Sequence, residues 1–148
     1  MAVEVIGAAR VQRRFQTLLA TFGKQLMGEV GMFVMTRIKE RTAKGVDVGG
    51  SSFKPYSAQY AFFRESKGRP TDKVDLFFTG SMMSAMTPDA SESRVRVFFL
   101  PTQDRSGSSN PAKAFYLNQK REFFALSPQD KREIGTLVLD EFRKAMQT

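Results

Sequence analysis

At 148 residues, 41% of them hydrophobic, the chain is long enough for one domain with a modest core. It contains no Cys and no His, which excludes disulfides and thiolate metal sites, and leaves its own residues unable to run Ser–His hydrolysis, zinc hydrolysis or His-based phosphotransfer. The formal charge of +8 is uneven, with 12 Lys/Arg against 5 Asp/Glu in residues 1–70 and 11 against 10 in residues 71–148, so the first half suits a polyanion or an acidic protein neighbour.

Val3-Glu4-Val5-Ile6 alternates weakly before Gly7 and predicts a short leading strand. Glu4, Arg10, Arg13 and Arg14 break up the N-terminus as a signal peptide. No apolar run reaches the ~20 residues of a bilayer span, so a soluble protein made in the cytoplasm is expected, with no membrane partner. From Phe15 to Ile38, apolar residues recur at three- and four-residue steps, predicting one long amphipathic helix from about Ala9 to Arg41. Gly23, Gly28 and Gly31 each cost about 1 kcal/mol relative to Ala in a helix interior. Three in so short a span predict a bend, or a close approach by another helix.

A glycine-rich loop follows, over residues 43–57. Phe53 and Tyr56 flank Pro55, whose fixed φ holds them in an extended segment, and Ser57 caps a short helix to Arg64. Leu76–Met83 reads as a strand or as a one-turn helix capped at Thr79. Ala85–Ala90 and Arg94–Leu100 form a hairpin around Ser91-Glu92-Ser93. Its second strand puts Arg94 and Arg96 on one face, and Pro88 keeps the first at an edge or bulge. Residues 101–110 (PTQDRSGSSN) read as a flexible polar loop, with Asn110 capping a helix begun by Pro111. Ser127 and Pro128 start a final helix whose stripe is Ile134, Leu137, Val138, Phe142 and Met146. The fold class is α+β, a small antiparallel sheet packed by a long N-terminal helix and a C-terminal helix, in a single domain without internal repeat or linker.

Several segments form an ordered set. Arg41-Thr42 ends a helix, Gly45 to Ser57 reads G-x-D-x-x-G-x-x-F-x-P-Y-S, and Thr79-Gly80-Ser81-Met82 follows. Arg121-Glu122-Phe123-Phe124-Ala125-Leu126-Ser127 then leads into the last helix. Together they span most of the chain between about Val3 and Phe142, and this set resembles the phage virion-morphogenesis (tail-completion) family. Two positions depart from its pattern. Met82 stands in place of Leu, and Asn118-Gln119 is followed by Lys120 rather than glycine. The resemblance implies a structural protein of a tailed-phage virion, acting in tail completion or head–tail joining. It also implies a homo-oligomeric ring, a hexamer being the favoured size, bound to neighbouring neck and tail proteins. Partner contacts are expected at Gly49, Gly50, Phe53, Tyr56, Arg121 and Phe123.

The chemistry of an enzyme is not indicated. Asp72, Asp75, Asp89 and Glu92 are the one acidic cluster, and turn carboxylates in water explain them better than an Mg²⁺ site. No phosphate-cradling glycine motif occurs. A non-catalytic protein with no cofactor, metal or small-molecule substrate is therefore expected. Arg94 and Arg96, with Arg64, Lys67 and Arg69, are candidates to face passing genomic DNA through phosphate contacts. A small basic protein that binds nucleic acid without sequence preference is the alternative, and no sequence-reading motif supports anything more specific.

Overall fold

Burial along the first helix follows a fourfold step. In the computed structural model, which describes residues 8–147 and the side chains of 10–147, α1 runs over Ala8–Ala43. The buried row is Leu26, Val30, Val34, Ile38 and Thr42, each one turn beyond the last. Arg10 to Thr17 are exposed, so the body of the protein sits on the C-terminal two-thirds of a helix about 54 Å long. The expected leading strand lies outside the described residues.

The sheet is a single antiparallel hairpin, β1 (Met86–Ala90) and β2 (Val95–Phe99), with Met86 opposite Phe99 and Asp89 opposite Arg96. A lone hairpin is marginal in water, and α1 supplies the missing layer. Two glycines make that packing close. A Cβ on Gly31 would stand 2.7 Å from Val95 Cγ2 and 2.8 Å from Pro88 Cβ, and one on Gly23 would stand 2.2 Å from the Glu92 carbonyl oxygen. The close approach predicted for α1 is thus made by the hairpin rather than by a helix. Gly28 faces open space.

The short elements pin the rest. Ser57 Oγ accepts the Tyr60 N–H to start α2 (Ala58–Ser66). Leu76–Met83 resolves as loop and one-turn helix, α3 (Ser81–Ser84), with left-handed Gly80 at its cap. In α4 (Asn110–Lys120) the cap is Ser109, not Asn110. Asn110 is buried instead, where its side-chain amide donates to Ser81 Oγ and Thr102 Oγ1, tying α4 to α3. Finally α5 (Pro128–Gln147) lies antiparallel to α1, with Phe142 stacked on Phe15 at 5.3 Å and edge-on to Phe22 at 5.4 Å. Among the described residues no helix is long and apolar enough to cross a membrane.

One turn is used twice. Asp47-Val48-Gly49-Gly50-Ser51 and Asp104-Arg105-Ser106-Gly107-Ser108 share the pattern D-x-x-G-S and the same bonds. In each, the Asp N–H donates to the Ser carbonyl (2.8 and 3.0 Å), and the Gly N–H donates to the Asp carbonyl (3.0 Å in both). The Asp carboxylate accepts the Ser N–H, the second glycine of the first turn and the glycine of the second have φ of +85° and +79°, and an isolated bridge closes each base. Aspartate opening a type I turn and glycine at the left-handed position explain the choice of residues. Residues 101–110 are therefore knit by their own bonds, with Lys113 also paired to Asp104.

Candidate functional site

The first glycine turn and the segment before α5 are stitched together. Arg41, at the end of α1, donates from Nη1 to Asp130 Oδ2 at 2.7 Å and from Nη2 to the carbonyls of Ala125 (2.6 Å) and Phe123 (3.3 Å). Asp130 in turn accepts the Ser127 N–H at 2.8 Å, while Ser127 Oγ accepts the Asp130 N–H at 3.0 Å. This is a capping box whose carboxylate also binds an arginine from another helix. Burial pushes the Asp130 carboxyl up, but the hydrogen bonds from Ser127 and Arg41 outweigh it and leave it below its ordinary range. Arg37 adds Glu133 at 2.7 Å. Across the turn, the Val48 N–H donates to the Glu122 carbonyl, and Arg121 donates to the carbonyls of Lys54 (3.0 Å) and Pro55 (3.2 Å).

This stitching decides where the expected contact residues lie. Gly49 and Gly50 are exposed at the tip of the turn. Phe53 and Phe123 are not surface residues: both are buried, Phe123 fully, in the core with Leu26, Val30 and Met86. The proline between Phe53 and Tyr56 turns the first ring inward and leaves the second half-buried at the surface. Their expected role as partner contacts is corrected accordingly; what they hold together is this chain. Tyr56 and Arg121 remain accessible, and they border a groove.

The groove has a volume of about 860 Å³ and runs between α2 and the end of α4. Tyr56 and Tyr60 form one wall, Tyr116 and Lys120 the other, with Leu76 and Phe78 between them. Arg64 is 1% exposed, so it cannot line a DNA channel as expected. Its donors go to the carbonyls of Pro70 (3.1 Å) and Phe77 (3.0 Å), with Asp75 at 3.5 Å, and its guanidinium lies 4.7 Å from the Tyr56 ring centre. Burial pushes the Tyr56 hydroxyl up, against the lowering pull of Arg64. From Tyr60 the aromatic row passes outside the groove to Phe63, which stacks on Phe78 of the groove floor, with Lys67 over Phe63 and Arg69 over Phe78.

Arg94 and Arg96 are exposed on the hairpin and do not line this groove. Arg96 is only partly free to meet phosphate, since the register sets it against Asp89 at 3.5 Å. Asp75 is spent on Arg64 and on the Phe77 N–H. Among the described residues no group of three acidic side chains is placed to hold a metal ion. Sequence reasoning missed Asp130 and Arg41 as a pair and the tyrosine groove; the S-P-x-D pattern at Ser127 was the available signal for the first. Comparison of the chain with family models, curated proteins and solved structures finds no match.

Proposed function

We propose that this chain is a structural, non-catalytic protein of a tailed-phage virion, acting in tail completion or head–tail joining as one subunit of a homo-oligomeric ring. The observation that carries the reading is the stitching itself. The Arg121–Ser127 segment lies far in sequence from the helix end Arg41-Thr42 and the glycine turn that follows it, which also bear the resemblance, yet it bonds directly to both. They behave as one structural unit, as a shared motif set requires.

The ring is supported by unspent apolar surface. Val11 and Phe15 on the overhanging start of α1, and Leu139 and Met146 on α5, are all exposed. Oligomer interfaces favour aromatic residues and Met. Gly49 and Gly50 at the tip of the turn would meet neighbouring virion proteins. Electron microscopy of the purified chain, alone and mixed with neck and tail proteins of a tailed phage, tests the reading. Rings or occupied tail ends are expected; a monomer under both conditions would overturn it.

A further inference from the structure

We propose that the groove between α2 and α4 binds a short acidic peptide segment of a partner protein, one that carries an apolar side chain between its carboxylates. The proposal stands on the groove alone and does not depend on a virion role.

Its charge is of one sign. Lys54, Arg64, Lys120 and Arg121 line it, and no Asp or Glu does. Two of these cations are already committed: Arg64 is buried and bonded within the chain, and Arg121 is spent on the carbonyls of Lys54 and Pro55. Lys54 and Lys120 are exposed, and neither has an acidic partner among the described residues; Lys120 donates one exposed hydrogen bond to the Tyr116 hydroxyl and keeps its charge unpaired. That supplies two ammonium groups at the rim of an apolar floor, which complements carboxylates flanking one apolar side chain. A second copy of this chain is disfavoured, because its +8 charge repels a basic groove.

The aromatic residues point the same way. The chain has three tyrosines, at 56, 60 and 116, and all three line this groove, whereas its fourteen phenylalanines are spread through the fold. Tyrosine presents an apolar body with a polar tip, and is enriched at the centres of protein interfaces. Single-stranded nucleic acid would instead need open ring faces for its bases. Those faces are occupied here. Arg64 and Arg121 lie over Tyr56, Lys120 lies 4.5 Å from the Tyr116 centre, and Tyr60 stacks on Phe63.

The test exploits the absence of Trp, which makes tyrosine emission a reporter of this groove. A blocked peptide with Leu-Phe between pairs of Glu is titrated into the full chain. The same peptide with Lys for Glu, and oligothymidylate, are titrated in parallel. Saturable quenching by the Glu peptide alone is expected, weakening with salt. Affinity should fall about tenfold or more in the double variant Lys54→Glu, Lys120→Glu, through like-charge repulsion. It should be unchanged in Arg94→Glu, Arg96→Glu. Circular dichroism of both variants confirms that they fold. Three results would each overturn the proposal: no response to the Glu peptide, equal binding by the lysine double variant, or tighter lysine-dependent binding of oligothymidylate. The last would assign the groove to nucleic acid.

Discussion

Two adjacent polar side chains in the last turn of α1 differ in how far they are satisfied: Arg41 bonds through Nη1 and Nη2, although its buried Nε has no partner, whereas the Thr42 hydroxyl makes no bond. Arg41 satisfies three acceptors and pairs with a carboxylate that is itself buried, so Asp130→Ala leaves a buried charge unmatched. A loss of about 3 kcal/mol in urea unfolding is expected, as for other broken buried pairs. The Thr42 hydroxyl is fully buried with no hydrogen-bond partner. Thr42→Val, which keeps the shape and removes the unpaired hydroxyl, should therefore raise stability by about 1 kcal/mol. The pair also fixes a pH dependence. The Asp130 carboxyl is depressed from its ordinary value of 3.8, so the folded state binds fewer protons than the unfolded one as pH falls. Its contribution is complete above that value and is lost as pH drops through the depressed one. Urea midpoints measured from neutral pH down to about pH 3 should fall more steeply in the wild type than in Asp130→Asn.

Helix α1 meets its neighbours through positions where a single methyl decides the outcome. Gly31→Ala drives a Cβ into Val95 and Pro88, and should destabilise by about 1–3 kcal/mol as the hairpin is forced away. Gly28→Ala, three residues earlier and facing open space, should stabilise by about 1 kcal/mol through helix propensity alone. Thermal unfolding of the two variants gives opposite signs if the hairpin seat is as described. Such positions explain what the sequence could and could not disclose. The helix starts at Ser57 and Ser127 and the hairpin alternation at Arg94–Val97 were legible, because each is local chemistry at fixed spacing. The direction of Phe53 against Tyr56 was not, since both rings flank one proline and only the core volume chooses between them. Nor was the burial of Arg64, a residue type that stays inside only when distant carbonyls satisfy it. The cap at Ser109 lost out to the neighbouring Asn110 for a similar reason: the amide's partners, Ser81 and Thr102, come from other segments.

For the whole molecule, the uneven charge and the unspent apolar surface set two expectations. Replacing Val11 and Leu139 with Glu should leave the chain folded, since both are exposed, and should abolish any self-association seen by sedimentation. Under the proposed virion role, charge reversal at Arg94 and Arg96 separates two uses of the basic hairpin in the particle. Particles that form but eject DNA abnormally would place these residues at the passing duplex, and particles that fail to form would place them at a subunit contact. The stitching at Arg41 bears on lifetime as well. Its acceptors lie 82, 84 and 89 residues further along the chain, so the bonds require more than half of the polypeptide to be gathered first. A side-chain clamp whose acceptors are backbone carbonyls and a capping carboxylate closes only once those segments are in place, so its bonds are expected to form after the folding barrier, with a φ-value of about 0. Arg41→Lys, which keeps the charge but cannot span carboxylate and carbonyls together, should then leave refolding rates unchanged. Unfolding should accelerate roughly tenfold for each ~1.4 kcal/mol lost. A stopped-flow chevron in which the refolding arm slows instead would show that the clamp closes early. With the late closure expected here, one guanidinium governs how long the folded chain persists, and has no bearing on how quickly it first takes shape.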